Sequence, residues 1–189
     1  MLNAKYLEIK RNQIDIFIIV IQRLLETRMK SHVSMYYCDQ KSCENLYYST
    51  DDDDLYFYNG KKSEKIAKEV YSLYSIDFDN KQVLYSVEDD DKYTLYYQKG
   101  TKDAVKVEDD LGSISSARIY DGKDIYFINE ENELKYAKIK GAKVGDVKKI
   151  ADDVESYLRS YKKGYAFVSD VNEKSSGDLY LAYNGKVKK

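Results

Sequence analysis

The chain has 189 residues, enough for one domain with a sizeable core and too few for two large ones. Charged residues make up 34% of it and nearly balance, to a formal net charge of -2. That balance indicates neither a nucleic-acid-binding surface nor an acidic tail. With 21 Tyr, 5 Phe, no Trp and no Pro, the composition favours half-exposed strands over helices and predicts a mainly β protein.

Residues 1–32 differ from the rest of the chain and are predicted to form a separate N-terminal segment. Their apolar cluster runs from Ile16 to Ile21, with Ile14, Leu24 and Leu25 beside it. This run is shorter than the roughly 20 apolar residues that cross a bilayer, and no small-residue cleavage site follows it. We therefore predict no intact transmembrane span. A short amphipathic helix, an added edge strand and the remnant of a membrane anchor all suit the segment.

The two cysteines, Cys38 and Cys43, have only four residues between them and cannot join distant elements. Ordinary thiols are the preferred interpretation, and a small local disulfide is the alternative. A structural zinc site needs four ligands, and His32 is the one further candidate nearby. No metal site is predicted.

A short phrase recurs three times along the chain. It reads Lys, then Ile or Val, two variable residues, an acid, Val or Leu, one variable residue and Ser. The copies begin at Lys65, Lys106 and Lys149, so they are 41 and 43 residues apart. Two further series keep the same phase: LYFYNG, LYYQKG, LKYAKIKG and LYLAYNG from Leu55, Leu95, Leu134 and Leu179, and LYYS, LYSV, IYFI and YAFV from Leu46, Leu84, Ile125 and Tyr165.

Each period of about 40 residues holds four short β-rich runs, which is typical of a β-propeller blade. Dipeptides suited to tight hairpins separate many of the runs. A four-stranded sheet cannot bury both faces alone, so we expect successive blades to pack face to face. Tyr rings would fill the space between blades while their hydroxyls reach water or backbone. The hairpin dipeptides are Asn59-Gly60, Lys99-Gly100, Asp121-Gly122 and Asn184-Gly185.

The predicted fold class is therefore an all-β, propeller-like array of four-stranded blades, over residues 33–189. Residues 33–54 resemble the end of a unit and residues 179–189 the start of one, so pairing of the two ends could close a small four-bladed ring. An open arc or a fragment of a larger propeller is preferred, with the N-terminal apolar cluster over one open face. Leu134 to Tyr136, the weakest copy of its series, is expected to be an outer or less covered strand. The three complete units are Leu55 to Thr94, Leu95 to Glu133 and Leu134 to Asp178.

The stretches LYFYNGKKSEKIAKEV and YSLYSIDFDNKQVLYSVEDD resemble blades of uncharacterised bacterial surface proteins with TolB-like propellers. The resemblance covers roughly Val33 to Lys189 and concerns the scaffold more than any activity. It implies an extracytoplasmic or membrane-associated location, since such proteins often carry an anchor, sometimes with a zinc ribbon, ahead of the propeller. No functional residue is carried over, and the chain lacks the zinc-ribbon cysteines.

No catalytic, cofactor-binding or metal-binding residue is assigned. The acid runs do not fit a calcium loop and are interpreted as solvated turns. His32 is the only histidine, and GSISS at Gly112 to Ser116 is not a nucleophile elbow. The serines that end the three copies of the phrase, Ser72, Ser113 and Ser156, are expected to bond nearby backbone. The acid runs are Asp51–Asp54, Glu88–Asp91, Glu108–Asp110, Asp152–Asp153 and Asp170.

These observations predict a non-enzymatic surface or envelope domain that binds or organises a partner. A protein, a peptide or a glycan would suit exposed Tyr, whereas nucleic acid and cofactors are not expected. Self-association through open blade edges is a further expectation. Two alternatives stay open: a hydrolase or lyase on a propeller scaffold, in which carboxylates of different blades converge, and a truncated product without independent function.

Overall fold

Four antiparallel sheets follow one another along the chain in the computed structural model, and the all-β prediction is confirmed. The structure describes residues 33–38, 45–155, 158–161, 164–171 and 176–189. The predictions for residues 1–32, Cys43 and Ser156 lie outside these ranges. Within the described ranges, no helix is long and apolar enough to span a membrane.

Each sheet has the form of a propeller blade, with strands paired in chain order. In blade 3, two short strands share the fourth position along β11. Blade 1 contains β1 (Val33–Cys38), β2 (Leu46–Thr50), β3 (Leu55–Tyr58) and β4 (Ser63–Ala67). Blade 2 contains β5 (Val70–Asp77), β6 (Gln82–Asp89), β7 (Lys92–Lys99) and β8 (Val105–Leu111). Blade 3 contains β9 (Ile114–Tyr120), β10 (Asp124–Asn129), β11 (Leu134–Lys140), β12 (Lys143–Val144) and β13 (Lys148–Ala151). Blade 4 contains β14 (Arg159–Tyr161), β15 (Gly164–Ser169), β16 (Asp178–Tyr183) and β17 (Lys186–Lys188).

The period of the repeat is confirmed, but the predicted unit boundaries are wrong. Leu55 begins β3, the third strand of blade 1, so each predicted unit joins the last two strands of one sheet to the first two of the next. A tandem repeat in sequence fixes the period and leaves the starting point free. The strands at the two ends, which were considered as halves of one shared blade, each belong to a four-stranded sheet of their own, β1 to β4 and β14 to β17.

A second correction concerns the copy at Leu134 to Tyr136, which was expected to be poorly covered. It forms the start of β11, and Leu134 and Tyr136 are only 0% and 5% exposed. Lys135, between them, points its ammonium group to Glu108 of blade 2. The substitution of Lys for Tyr within this copy therefore reflects an ion pair between blades and not a loss of cover.

The recurring phrase encodes the end of a blade. Its first residues complete the fourth strand, and its acid, at Glu69, Asp110 and Asp153, adopts φ of 51°, 56° and 52°. These values lie in the left-handed region. Glu69 and Asp153 follow the fourth strand, whereas Asp110 lies at a register shift near the end of β8. In copies two and three the following apolar residue, Leu111 or Val154, is buried. The phrase recurs because blades 1, 2 and 3 each need a left-handed residue at or just after the end of the fourth strand.

Replacing Asp110 with Val should lower the free energy of unfolding by about 1–2 kcal/mol, because a β-branched residue is strained at positive φ. Asp110→Gly should cause no loss, since Gly adopts this conformation freely. The neighbouring Asp109→Val is the matched control, because Asp109 is not among the positive-φ residues. Urea denaturation of the three variants measures the difference. Equal losses for the two Val variants would contradict the conformational explanation.

Blade 1 belongs to one compact unit, Met1–Glu69, and blades 2, 3 and 4 belong to a second, Val70–Lys189. In the second unit, β10 of the middle blade is buried at all six residues. Its side chains alternate, so that Ile125 and Phe127 enter the cluster shared with blade 2, and Tyr126 and Ile128 enter the cluster shared with blade 4. A middle blade thus buries both faces, as the repeat predicts.

Tyrosine hydroxyls tie neighbouring blades of this unit together. Tyr97 of blade 2 donates to the carbonyl oxygen of Gly141 at 3.0 Å, and Tyr165 of blade 4 donates to that of Ile119 at 2.8 Å. The hydroxyl of Tyr126 accepts the backbone N–H of Gly185 at 3.4 Å. Burial raises the pKa of Tyr97 and of Tyr126 to about 12, so both hydroxyls stay neutral at physiological pH. The expected use of Tyr, with a buried ring and a bonded hydroxyl, is confirmed at these positions.

Two of the predicted hairpin dipeptides close their turns as expected. Asp121 and Gly122 have φ of 50° and 62° between β9 and β10, and Asn184 and Gly185 have φ of 49° and 65° between β16 and β17. Two successive positive φ angles match the right-handed twist of the flanking strands. These turns set the register of their hairpins.

Candidate binding surfaces

Most acidic residues singled out in the sequence lie in turns. Asp53, Asp90, Asp91, Asp153 and Asp170 all have positive φ, which Asp tolerates better than most residues. The solvated-turn prediction is confirmed for these positions. Their abundance thus has a conformational cause.

Glu108 is an exception and corrects that prediction. It lies in β8, and its side chain is only 23% exposed where it pairs with Lys135 of blade 3. The same Lys135 also lies 3.8 Å from Glu133, which in turn contacts Lys149 at 2.9 Å. This partly buried network joins two blades and gives Glu108 a scaffold role.

The segment GSISS leads from a bend into a strand, with Ile114 to Ser116 in β9. Ser116 is buried, and the Ser115 hydroxyl lies 3.5 Å from the carbonyl oxygen of Ile128. The backbone N–H groups of Gly112 and Ser113 bond the carboxylate of Glu130. Burial opposes its charge, but these bonds outweigh burial and hold the pKa of Glu130 below its usual range. Glu130 thus fixes the link between blades 2 and 3, a role that the sequence did not indicate.

Among the residues that the structure describes, no three side chains of His, Cys, Asp or Glu come close enough to hold a metal ion.

An exposed tyrosine pair distinguishes blade 2. The Tyr71 side chain, at the start of β5, is 57% exposed, and its ring centroid lies 4.8 Å from that of Tyr93 at a tilt of 54°. Tyr93, the second residue of β7, packs partly on the cluster between blades 2 and 3, which fixes the pair on the scaffold. Glu88 lies opposite Tyr93 in the β6–β7 register. We call Tyr71, Tyr93, Glu88 and Asp91 the tyrosine–carboxylate patch.

The electrostatics of this patch are negative. The hydrogen bond with Tyr71, followed by burial and the charges of Glu88 and Asp91, raises the pKa of Tyr93 to about 12. The Tyr93 hydroxyl therefore stays protonated beside two carboxylates. Both carboxylates are exposed: Glu88 lies near the end of β6, and Asp91 lies in the turn between β6 and β7. A cation approaching Tyr71 would meet an aromatic face and carboxylate oxygens together.

A second surface lies on blade 4. A cavity of about 540 Å³ opens on it, with apolar walls and one side chain of each charge at its rim. Leu179 is 65% exposed and Val171 is 39% exposed. We call this surface the blade 4 face. Its lining residues are Glu155, Arg159, Ala166, Phe167, Val168, Val171 and Leu179.

The sequence offered one signal for these surfaces, and it lay in the variable positions of the repeat. Tyr71 and Glu155 occupy the same variable place in the first and third copies of the phrase, and Gly112 occupies it in the second. Residues that recur in every copy build the blade, so a residue that changes between copies is free for another role. Whether such a residue is exposed decides its role, and its exposure could be determined only from the structure.

No family model matches the chain, and no curated protein sequence matches it significantly. Solved β-propellers resemble it in structure. The β-propeller domain of the Trilobed protease from Pyrococcus furiosus matches with a TM-score of 0.57 at 12% identity, over 84% of this chain and 57% of that one. An acylaminoacyl peptidase in complex with Z-Gly-Gly-Phe-chloromethyl ketone matches with a TM-score of 0.54 at 10% identity, over 87% of this chain and 33% of that one.

The present chain thus spans little more than half of the first neighbour and a third of the second. At these identities the likeness shows the fold alone. Together with the four blades, it identifies the chain as an array of β-propeller blades.

Proposed function

We propose that this chain is a non-enzymatic binding and scaffold domain built from propeller blades, which holds a basic side chain of a protein or peptide partner on its tyrosine–carboxylate patch. The observation that carries the proposal is the exposed ring of Tyr71, fixed against Tyr93 beside Glu88 and Asp91. An aromatic side chain that is more than half exposed contributes little to the core. Its rigid setting favours recognition.

The chemistry of the patch favours a cation over a neutral ligand. The face of a Tyr ring attracts Lys or Arg, worth about 0.5–1 kcal/mol at an exposed site. An exposed ion pair with a carboxylate adds roughly 0.2–1 kcal/mol. One basic side chain would thus gain about threefold to thirtyfold in affinity, so a natural partner would use several contacts.

We extend the proposal to a surface or envelope location, which rests on the resemblance of the blade sequences to TolB-like surface proteins. Cell fractionation with an antibody against the chain tests this part. Recovery of the chain in the cytosolic fraction alone would contradict the proposed location. It would not affect the proposal that the patch binds a basic side chain.

Binding to a hexapeptide of alternating Gly and Arg should weaken about twofold to fivefold in Tyr71→Ala, because the exposed aromatic face is removed. Glu88→Gln should weaken it by a smaller factor and should flatten its dependence on salt. Tyr183→Ala, which removes another Tyr that is 42% exposed, is the matched control and should bind as the wild type does. Calorimetric titration in 20 mM salt measures the affinities.

Four results would each contradict a part of the proposal. If a Gly-Gln hexapeptide bound as tightly as the Gly-Arg peptide, or if Tyr71→Ala bound the Gly-Arg peptide as tightly as the wild type does, the patch would not be the binding site. Titration with a chito-oligosaccharide tests a glycan as the ligand, and Tyr71-dependent binding of that sugar would likewise overturn the basic-peptide assignment. Mass spectrometry of the incubated peptides reports cleavage, and hydrolysis by the purified wild-type chain would overturn the non-enzymatic part.

A further inference from the structure

The two tyrosines of the tyrosine–carboxylate patch come from strands that are not neighbours. Tyr71 lies at a register shift of β5, between Val70 and Ser72, and Tyr93 lies in β7. Because β6 separates these strands, their backbones are roughly 10 Å apart. A bulge re-aims the side chain that it carries. The two rings meet across β6, with their centroids 4.8 Å apart.

The hydroxyl groups of the pair are brought together as well. A hydrogen bond with Tyr71 is the largest cause of the raised pKa of Tyr93. When a phenol loses one electron and its proton, the unpaired electron is shared between the oxygen and the ring carbons ortho to it. Those carbons are bonded to the carbon that bears the hydroxyl. Two rings that touch with their hydroxyls together therefore also bring their reactive carbons together.

Exposure separates this pair from the other tyrosine pairs of the described residues. Tyr71 is 57% exposed, so a diffusing oxidant can reach its ring. Each of the other pairs contains a ring that is at most 5% exposed, and the hydroxyl of that ring bonds a group outside the pair. These pairs are Tyr48 with Tyr56, Tyr85 with Tyr96, Tyr120 with Tyr165, Tyr126 with Tyr136 and Tyr126 with Tyr165.

The two carboxylates of the patch supply proton acceptors. Oxidation of a phenol near neutral pH releases the phenolic proton, so a nearby base favours the step. Glu88 lies opposite Tyr93 in the β6–β7 register, and the charges of Glu88 and Asp91 both act on the Tyr93 hydroxyl. Because both carboxylates are exposed, a proton that they accept passes on to water. The patch thus combines an accessible phenol, a second phenol in contact with it and bases for the released protons.

We propose that Tyr71 and Tyr93 form an oxidative modification site, at which hydrogen peroxide and a haem peroxidase join the two rings as dityrosine. Each ring loses one electron and its phenolic proton, and hydrogen peroxide takes up two electrons and two protons to give two molecules of water. A bond then forms between one ortho carbon of each ring. Each of these carbons gives up its hydrogen as a proton and the phenol oxygen regains one, so the product is the chain less two hydrogen atoms.

The new bond would tie β5 to β7 and close a loop between residues 71 and 93. A covalent loop of this length stabilises a protein by restricting its unfolded chain. The oxidised wild type should therefore melt about 5–10 °C above Tyr71→Phe that has been oxidised in the same way. Calorimetry of the two samples measures the difference. Equal melting temperatures would overturn the proposal that the native pair is joined.

Oxidation of the full chain by hydrogen peroxide and a haem peroxidase should give a cross-linked monomer with dityrosine fluorescence. Trypsin should release residues 69–81 joined to residues 93–99, two hydrogen masses lighter than their sum, with the bond between Tyr71 and Tyr93. Because the rings already touch, the yield should not change when the chain is diluted from about 50 to about 1 micromolar. Tyr71→Phe and Tyr93→Phe should each lower it about tenfold or more. Tyr183→Phe, at another exposed Tyr, is the matched control and should leave it unchanged.

Absence of the joined peptides from the oxidised wild type, or their persistence in Tyr71→Phe, would overturn the proposal. A yield that rises with chain concentration would do the same, because it would show coupling between separate molecules. An equal yield in concentrated urea would show that the folded pair is not needed. The peptide site is tested separately, since Tyr71→Phe keeps the aromatic face and should bind the Gly-Arg hexapeptide as the wild type does while it loses the cross-link.

Discussion

Replacing Phe127 with Ala should lower the free energy of unfolding of the unit that contains blades 2, 3 and 4 by about 3–5 kcal/mol. Phe127 lies in β10 of the middle blade and is 0% exposed. Its ring enters the cluster shared with blade 2, where Leu84, Leu95 and Ile125 are also fully buried. Removing the ring would lose its transfer free energy and leave a cavity that the hydrogen-bonded sheets on either side cannot fill.

Urea denaturation followed by circular dichroism measures this effect. Tyr71→Ala is the matched control, since it also truncates an aromatic ring but at a position 57% exposed. It should cost no more than about 1 kcal/mol, mainly from the lost contact with Tyr93. A loss below 1 kcal/mol for Phe127→Ala would mean that blades 2 and 3 do not share this core.

Gly164→Ala should destabilise blade 4 by roughly 3 kcal/mol or more, because no space exists for the added methyl group. An ideal Cβ at this position would lie 1.9 Å from the carbonyl oxygen of Ala182 on the neighbouring strand. That oxygen belongs to the backbone of β16 and cannot swing aside as a side chain would. The hairpin of β15 and β16 would have to separate locally.

Gly141→Ala is the matched control. Gly141 has φ of 70°, and no atom lies within 4 Å of its ideal Cβ. The substitution should therefore cost only about 1 kcal/mol, from positive φ alone. Thermal unfolding of both variants, with sedimentation to detect aggregation, compares the two positions. If Gly141→Ala were the more harmful, close approach of the backbone would not be the reason for Gly at position 164.

The sequence predicted the architecture well where residues recur. Positions that repeat in the phrase, such as the acid at Glu69, Asp110 and Asp153, answer one local requirement, a left-handed residue at or just after the end of the fourth strand. Asn184 and Gly185 likewise predict a hairpin by their own conformational preferences. Local requirements of this kind can be recognised in sequence, because they depend on residues close together in the chain.

Predictions failed where the answer depended on another blade. Lys135 suggested a poorly covered strand, yet its charge is matched by Glu108, 27 residues earlier in the chain. The start of each blade was also misplaced, because strand pairing, and not the order of similar segments, decides which strands share a sheet. The exposed state of Tyr71 and Leu179 was equally invisible in their local sequence.

The sequence by itself determined that this protein is all-β, that its unit has about 40 residues and that each unit holds four strands, since period and turn chemistry are local properties. Only the tertiary structure decided where each blade begins, which face of blade 4 is less buried and which tyrosine ring is exposed to solvent. These features depend on contacts between segments some 40 residues apart, such as that between Arg118 and the carbonyl oxygen of Tyr74. Burial is set by what packs on a residue, and distant strands provide that packing.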